Sequence, residues 1–417
     1  MIKSHAKKQS PAPIVIGWIV TTAVILFYAY EYLLRLAPSP MYDYFATQFH
    51  ATAYQIGLID SAYYWAYIPM QILVGTIMDI LGVRKPMFLA VLSCIAGTFL
   101  YSLPHSLTLV LLGRMLIGFG SSFGFVAVLK TATLWLPKRL FPLAVGIATS
   151  MGMLGAISGI SGISILINIF DIETTLQITL GIGFAIFAIT YLCVYDKKSR
   201  ARRSHTKKRI KIVEQTLSNV LSNPQIWLAG TIGLALYLPT QIFGLWGIPY
   251  FEHVHDMSRA TALKVSPLIL WGWLVGGPLV GILCDYVKNR RMILITGSFL
   301  TFSTLALLLY MPMTQLNHII PAMFFMGVFS SVQILVFDIA ASSSKRSQAG
   351  TAVAVTNMII MLGGAIQPFI GSLIESMSTD GALFSAEGFN HAFLIMPITC
   401  LLAFFLTFLL KDLPSHD

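Results

Sequence analysis

The stretches "GTIMDILGVRKPM" (residues 75–87) and "GILCDYVKNRRMI" (residues 281–293) carry the same pattern of small, acidic and basic residues. Four positions of the first recur 206 residues later in the second: Gly75, Asp79, Arg84 and Lys85 match Gly281, Asp285, Arg290 and Arg291. The second copy is degenerate, because Lys288 stands where the first has Gly82. A repeat at one topological position in each half of a chain indicates duplicated units.

The sequence around this repeat is that of a polytopic membrane protein. Of its 417 residues, 56% are hydrophobic and 11% are charged, whereas soluble domains carry about 25% charged residues. A membrane-spanning helix needs about 20 mostly apolar residues. Twelve segments meet this standard: 14–37, 54–78, 86–103, 107–132, 141–168, 176–195, 225–250, 265–284, 291–311, 318–340, 348–375 and 390–410. The predicted fold class is an all-α membrane protein with twelve transmembrane helices in two pseudo-symmetric six-helix bundles, 1–195 and 224–417, joined by a basic cytoplasmic linker at 196–223.

Positive charge is concentrated in the loops on one side of the predicted bundles. The formal net charge is +10, but its confinement to loops between apolar runs indicates orientation in a membrane rather than nucleic-acid binding. On the opposite side, the only basic loop residues are Arg259 and Lys264, so both termini are predicted to be cytoplasmic. The first apolar run is longer than a signal-peptide core and is expected to be retained. The linker at 196–223 either is solvated or binds anionic lipid.

The first stretch resembles the loop between helices two and three of the major facilitator superfamily, which reads roughly G-x-x-x-D-x-x-G-R-K/R. The fourth apolar segment, "GRMLIGFGSSFGF", resembles the family's R-x-x-x-G-x-G signature through Arg114, Gly118 and Gly120. The fifth, "GIATSMGMLGAISGISG", has the glycine-rich texture of the family's fifth helix. The resemblance covers the whole chain and implies a twelve-helix transporter fold.

Two further stretches resemble a narrower group within that family, the proteobacterial phagosomal-type transporters. These are "YEYLLRLAPSPM" (residues 30–41) and "FGFVAVLKTATLWLPKRLFPLAVGIATSMGMLGA" (residues 123–156). The resemblance implies import of amino acids or nucleosides, and relatives of that group are associated with siderophore traffic.

Glu31 and Arg35 lie four residues apart in the first predicted helix, in the order that favours an ion pair on one face. Burying either charge alone at membrane depth costs at least about 2.5–3.5 kcal/mol, so they must face each other, other helices or a water-filled cavity. One hypothesis is a self-neutralising pair that fixes helix packing. The other makes Glu31 a proton-coupling or ammonium-binding site, with Asp60 as a second protonatable group, and Arg35 an anion contact.

Arg114 is a further candidate for binding an anionic substrate, because a guanidinium holds a carboxylate or phosphate bidentately. It could equally pair with Glu31 or Asp60 without substrate. The remaining candidates for substrate contact are polar or aromatic side chains at membrane depth, which need partners there: Tyr28, Tyr63, Tyr67, Gln241, Trp246, Gln333, Asn357 and Gln367.

The charged residues near the cytoplasmic helix ends are expected to form gates that lock one conformation and break in another. The candidates are Asp79, Arg84, Lys85, Lys130, Asp285, Arg290 and Asp338. Lys130 and Asp338 occupy nearly equivalent positions of helices four and ten, so a contact between them would close the cavity from the inside. The alternative is that each extends separately to the membrane interface.

These features favour a secondary active transporter in the bacterial inner membrane over an enzyme. The sequence contains no phosphate-binding Walker loop, H-E-x-x-H motif or nucleophile elbow, and no cofactor or metal is expected. We expect proton-coupled alternating access for a small zwitterionic or anionic metabolite, an amino acid or a nucleoside. The alternatives are traffic of a polycarboxylate siderophore or a drug, and a receptor that binds without transport. The expected partners are substrate, protons and lipid, not nucleic acid, for a monomer.

Overall fold

The computed structural model describes residues 11–103, 106–196, 215–311, 315–345, 348–377 and 383–411. Twelve long helices occupy this part of the chain: α1 (Pro11–Leu36), α2 (Ala53–Leu81), α3 (Arg84–Tyr101), α4 (Leu107–Trp135), α5 (Lys138–Ile169), α6 (Ile172–Cys193), α7 (Pro224–Val254), α8 (Arg259–Val287), α9 (Arg290–Tyr310), α10 (Leu316–Ser342), α11 (Ala349–Ser376) and α12 (Ala386–Thr407). A short helix, Tyr42–Phe49, follows α1.

Six of these helices are built from two shorter helices in sequence. They are Leu107–Ser121 and Gly124–Trp135 in α4, Phe141–Ile157 and Ile163–Ile169 in α5, Arg259–Val265 and Leu268–Val287 in α8, Leu316–Ser330 and Leu335–Ser342 in α10, Ala349–Ala365 and Gln367–Ser376 in α11, and Ala386–Phe393 and Ile395–Thr407 in α12. In each case the two parts belong to one candidate membrane-spanning segment.

The predicted all-α membrane fold is confirmed. The described residues contain no strand, and eleven of their helices are long and apolar enough to cross a membrane. The twelfth, α3, lies at the predicted span 86–103 but has only 18 residues and begins with Arg84 and Lys85. These two charges lower its mean hydropathy, because no alternative 18-residue window of the helix avoids them.

Polar side chains fix where several helices begin. Thr52 and Gln55 form a reciprocal capping box at the start of α2, which satisfies two backbone N–H groups. Asp171 caps α6 by accepting a hydrogen bond from the Thr174 N–H at 2.6 Å. Hydrogen bonds from Thr174 hold the pKa of the exposed Asp171 carboxyl below its usual value. Further side-chain caps are Ser106, Asn223, Ser258, Asn289 and Ser385.

The two halves repeat the same helix packing. In the first half α1 packs on α5, α2 on α4, α3 on α4 and α3 on α6. In the second half α7 packs on α11, α8 on α10, α9 on α10 and α9 on α12. Between the halves, α2 packs on α11 and α5 packs on α8. Each contact therefore has a counterpart six helices later, as expected for a duplicated six-helix unit.

Glycines allow the closest helix contacts, and the contacts recur in both halves. A Cβ on Gly118 of α4 would lie 1.9 Å from the Tyr63 carbonyl oxygen of α2. A Cβ on Gly327 of α10 would lie 2.0 Å from the Ile269 carbonyl oxygen of α8. Neither position tolerates a side chain without helix displacement. Small residues at such crossings are how membrane helices gain packing energy without a hydrophobic driving force.

Two serines lie at matching interruptions of α4 and α10. The Ser122 hydroxyl donates to the Phe119 carbonyl oxygen at 2.6 Å, and the Ser331 hydroxyl donates to the Val328 carbonyl oxygen at 2.7 Å. Hydroxyls that bond to the preceding turn compete with the helical ladder. The two parts of each helix separate directly after these serines.

The backbone of the repeated loop is bent in both copies, although the residue at the bend differs. Gly82 ends α2 with φ 86° and ψ −174°, and Lys288 ends α8 with φ 51° and ψ 14°. Positive φ is rare for residues with a side chain. The degeneracy seen in the sequence is therefore partly compensated, because Lys288 adopts the left-handed conformation that a non-glycine residue can reach.

Asp196, the first residue of the predicted linker, anchors the start of α3. Its carboxylate accepts hydrogen bonds from the backbone N–H groups of Val83 at 2.8 Å and Arg84 at 3.3 Å. A negative charge at a helix N-terminus is stabilising because of the helix dipole. Residues 197–214 of the linker lie outside the described residues.

Replacing Gly82 with alanine should lower the melting temperature of the detergent-purified protein. Its φ and ψ fall in a region that is essentially restricted to glycine, and strain of this kind costs about 1–3 kcal/mol. Lys288→Gly is the matched control and should melt at the same or a higher temperature, because glycine removes the strain at the second bend. Equal melting of Gly82→Ala and the unmodified protein would contradict this account.

Candidate functional site

A large cavity lies between the two halves and opens at one end of the bundle. Its volume is about 1570 Å³. We call the end where α2 meets α3 and α8 meets α9 the motif end. Residues lining the cavity there include Asp79, Gly82, Lys130, Ala349 and Gly350. The deeper wall is formed by aromatic and amide side chains: Tyr28, Tyr32, Tyr67, Gln71, Tyr237, Trp273, Gln333 and Asn357.

The opposite end, formed by residues 38–54 and 252–259 and by the second part of α11, is closed by contacts between the halves. We call it the sealed end. Arg259 forms an ion pair with Asp43 and donates to the Pro40 carbonyl oxygen at 3.0 Å. The Tyr42 hydroxyl donates to the Glu252 carboxylate. The Tyr54 N–H donates to the Glu375 carboxylate at 2.8 Å. The cavity is thus accessible from one side of the bundle.

A charged cluster lies directly behind the cavity wall. Arg35 Nη2 is 3.1 Å from Glu31 Oε2, and Arg35 Nε donates to the Tyr63 hydroxyl at 2.9 Å. That hydroxyl donates to Glu31 Oε2 at 3.0 Å, which closes a three-residue ring. The side chains of Glu31 and Arg35 are 0% and 2% exposed. The structure therefore brings together three of the predicted site residues.

Three tyrosine rings surround the Arg35 guanidinium. Its central carbon lies 4.1 Å from the Tyr32 ring centroid, 5.1 Å from that of Tyr67 and 5.2 Å from that of Tyr63. Cations at these distances from aromatic rings are attracted by the ring quadrupole. Tyr32 and Tyr67 also line the cavity. Two of the three rings that contact Arg35 are therefore also part of the cavity wall.

Arg114 is bound by the protein itself. Its guanidinium donates to the carbonyl oxygens of Leu34 at 2.7 Å, Arg35 at 3.2 Å and Ile59 at 3.2 Å, and it lies 3.3 Å from Asp60 Oδ1. Arg114 is 1% exposed and is not among the described residues that line the cavity. Of the two roles considered for it, these contacts favour the pair with Asp60 over a substrate contact.

The other predicted substrate contacts fall into two groups. Tyr28, Tyr67, Gln333 and Asn357 line the cavity. Asn357 of α11 also donates to Gln71 Oε1 of α2 at 3.1 Å, across the two halves.

Trp246 and Gln367 lie outside the cavity. The Trp246 Nε1–H donates to Gln367 Oε1 at 2.8 Å, and Gln367 Nε2 donates to the Gln241 carbonyl oxygen at 3.0 Å. Both side chains are fully buried. Their hydrogen bonds join α7 to α11 inside the second half. Gln241 itself lines a small second pocket next to Arg35.

The expected contact between Lys130 and Asp338 is not formed in this conformation. Lys130 pairs with Asp79, and Arg290 Nε lies 2.8 Å from Asp338 Oδ2. Each charged residue therefore finds its partner within its own half, because the cavity separates the halves at the motif end.

The remaining gate candidates lie near the same end. Arg84 extends over the rings of Phe88, Tyr191 and Tyr195, so aromatic contacts hold its side chain. Lys85 and Asp285 are exposed. The structure thus places the first repeated loop at the mouth of the cavity, and the second lies at the same end of the bundle.

The sealed-end contacts and three wall residues, Tyr32, Gln71 and Tyr237, were not identified from the sequence. Arg259 entered only as an orientation charge, although a cation on a face with few others is a signal that it has an acidic partner. Gln71 follows Tyr63 and Tyr67 at four-residue spacing on α2, which places it on the same helix face. That spacing could have predicted its place in the cavity wall.

Comparison with known proteins identifies the family. Residues 16–368 match the sequence model of the Major Facilitator Superfamily. The chain belongs to the major facilitator superfamily. It is therefore a multi-pass membrane transporter and not an enzyme, as predicted from the loop motif.

Two curated relatives, both named as transporters, share low sequence identity with this chain. The chain is 23% identical over 285 residues to the uncharacterized transporter YybO of Bacillus subtilis, an alignment that spans 62% of this chain and 65% of YybO. It is 24% identical over 388 residues to the probable sulfoacetate transporter SauU of Cupriavidus necator, spanning 87% of this chain and 88% of SauU.

A solved structure shares the fold. It is the crystal structure of a bacterial homologue of the human lysosomal transporter Spinster, in an inward-facing and unoccupied conformation. The TM-score is 0.75 at 16% identity, and the match covers 94% of this chain and 96% of that one. At this identity the likeness establishes the shared superfamily architecture alone.

Replacing Arg114 with methionine should strongly destabilise this transporter without any substrate present. The change leaves Asp60 buried without its partner and removes the donor from three carbonyl groups. Breaking a buried pair in this way costs about 3–5 kcal/mol. Methionine occupies the matching position of the second half, Met323, so its volume suits this helix crossing.

The measurement is the melting temperature in detergent, with Arg290→Met as the control. The Arg290 side chain is 21% exposed and its partner Asp338 is 50% exposed, and pairs of this kind contribute about 0–1 kcal/mol. The double variant Arg114→Met with Asp60→Asn should recover part of the loss, because no charge remains unpaired. Similar melting temperatures for Arg114→Met and Arg290→Met would argue against the structural role of Arg114.

Proposed function

We propose that this protein is a secondary active transporter that moves a small organic anion or zwitterion across the bacterial inner membrane by proton-coupled alternating access. The observation that carries the proposal is a cavity open at one end and sealed at the other, with the Glu31–Arg35–Tyr63 cluster behind its wall. A binding site between two bundles that is reachable from one side at a time is the structural requirement for alternating access.

The orientation of charged loops supports assigning the open end to the cytoplasm. Arg84, Lys85, Lys130 and Arg290 lie near the motif end, and cytoplasmic loops of membrane proteins are enriched in lysine and arginine. On this basis the conformation is inward-facing and both termini are cytoplasmic. The sealed end then faces the outside and opens in the alternate state.

Arg35 is the proposed anion contact. It is permanently charged, and Tyr32 and Tyr67 separate it from the cavity by one aromatic layer. A substrate carboxylate or sulfonate could form the bidentate pair that a guanidinium favours. The relative SauU, named as a probable sulfoacetate transporter, supports an anionic substrate. An amino acid, as implied by the resemblance to the phagosomal-type group, also carries a carboxylate, and a nucleoside would use the aromatic and amide wall.

Proton coupling follows from the competition for Arg35. When a substrate anion forms an ion pair with Arg35, Glu31 loses its counter-charge while it is still buried. An unpaired buried carboxylate is costly and is neutralised by binding a proton. Anion and proton therefore enter together, and Asp60 is the second site where a proton can neutralise a charge paired with arginine.

Export or import of a larger cargo is the second candidate function. The volume of about 1570 Å³ exceeds the roughly 300–1,000 Å³ of ordinary ligand sites, which favours a larger cargo such as a polycarboxylate siderophore or an amphiphilic drug. The sign of cargo accumulation in cells that express the protein distinguishes export from import.

The test begins with a thermal-shift screen of the purified protein against organic acids, amino acids and nucleosides, because a ligand of the native state raises its melting temperature. Uptake of the best ligand is then measured in proteoliposomes with and without an imposed pH gradient. For Glu31→Gln we expect uptake that no longer responds to the gradient, with exchange of internal for external substrate retained.

Glu173→Gln is the matched control, since Glu173 is exposed at the start of α6. It should respond to the gradient as the unmodified protein does. Gradient-driven uptake in Glu31→Gln at the rate of this control would refute the coupling role of Glu31. Absence of binding for every anionic and zwitterionic compound would refute the proposed substrate class.

A further inference from the structure

A small second pocket lies between the halves, on the sealed-end side of Arg35. It is lined by Arg35 and Ser39 from the first half, by Asp60 of α2, and by Thr240 and Gln241 of α7. Its volume is about 20 Å³. A site of about 10–15 Å³ on this measure accommodates one water, so this pocket admits a single water and not a substrate group of several atoms.

Two of the side chains that line this pocket, Gln241 and Ser39, carry polar atoms without protein partners. Among the described residues, Gln241 Nε2, Gln241 Oε1 and Ser39 Oγ are buried and form no hydrogen bond with the protein. Gln241 is 7% exposed and Ser39 is 1% exposed. A buried amide or hydroxyl without a partner costs about 1–3 kcal/mol. Both side chains line one water-sized pocket from opposite halves, so a single water could serve as their shared partner.

We propose that this pocket is a binding site for one water molecule that bridges Gln241 of the second half to Ser39 and Asp60 of the first. Gln241 can both donate to and accept from the water, Ser39 can do either, and Asp60 accepts. These groups supply the two to four hydrogen-bond partners that a buried water requires. The bridge forms part of the closure at the sealed end.

The same site gives Asp60 a contact with solvent. Asp60 lines this pocket but is not among the described residues that line the large cavity. The charged and titratable groups that face it are Arg114 from α4, Arg35 from α1, Tyr101 from α3 and Tyr64 on its own helix. Tyr237 from α7 lines the pocket as well.

The sign of a stability change tests this inference without substrate or transport. Gln241→Leu removes the amide at nearly constant size. With a bridging water, the change should lower the melting temperature, because the water loses two bonds and Ser39 and Asp60 lose their partner. Without one, the change should raise it, because an unsatisfied buried amide is replaced by an apolar group.

Thr356→Val is the matched control. Thr356 is 0% exposed and its hydroxyl has no partner in the described structure, yet it lines neither pocket. This variant should keep or raise the melting temperature. Ser39→Ala is a second test variant in case Gln241→Leu does not fold, and it should lower the melting temperature by a smaller amount.

A map at about 2 Å resolution provides the direct readout. We expect an isolated density peak within hydrogen-bond distance of Gln241 and Ser39 in the unmodified protein, and its loss in Gln241→Leu. A raised melting temperature in Gln241→Leu or Ser39→Ala, or a well-resolved pocket without the peak, would overturn the inference. Neither result bears on the transport assays, so failure here is distinguishable from failure of the proposed function.

Discussion

The structure depends on keeping two arginines buried at membrane depth. Arg114 binds the carbonyl oxygens of Leu34 and Arg35 in the last turn of α1, and it binds Ile59 and Asp60 of α2. The final carbonyls of a helix lack intrahelical donors, so this guanidinium completes α1 while pairing with Asp60. Because it comes from α4, it joins three helices of the first half. Arg35, held by Glu31 and Tyr63, rests on this unit, which explains how a charge can be kept one aromatic layer from a cavity.

Among the described residues, the buried charged side chains, Glu31, Arg35, Asp60 and Arg114, all lie in the first half, although the packing is repeated in both. Positions displaced by 206 residues from Asp60 and Tyr63 hold Ser266 and Ile269, and Met323 stands in the place of Arg114. Ser266 donates to the Phe243 carbonyl oxygen at 3.3 Å, a neutral contact. The second half supplies aromatic and amide groups to the cavity instead, including Trp273, Gln333 and Asn357. The helix crossings are thus repeated in both halves, whereas the buried charges occur in one.

The sequence predicted the fold well because the features that specify it are local. Hydropathy gave each span within a few residues, and the loop motif and the glycines of α4 gave the family. It also identified Glu31 and Arg35, since their spacing on one helix fixes their distance. The sequence could not show whether Arg114 contacts substrate or forms an ion pair within the protein, because the answer depends on how three helices pack. Nor could the sequence show that Trp246 and Gln367 bond to each other, since a polar side chain at membrane depth can bond to another helix as well as face a cavity.

The Lys130–Asp338 expectation illustrates a limit that packing alone does not remove. Lys130 of α4 and Asp338 of α10 lie at nearly matching positions and carry opposite charges. Each pairs with a residue of the repeated loop of its own half: Lys130 with Asp79, and Asp338 with Arg290. Asp79 and Asp338 are 62% and 50% exposed, and pairs this exposed contribute about 0–1 kcal/mol. In the proposed mechanism, these two pairs break when the motif end closes, and Lys130 pairs with Asp338 instead. This exchange of weak pairs would change the free energy of the protein little. A transporter requires such a balance, because a gate that strongly favoured one state would hold the protein there. The sequence can identify the charged residues of such a gate, but which of them pair depends on the conformation of the protein.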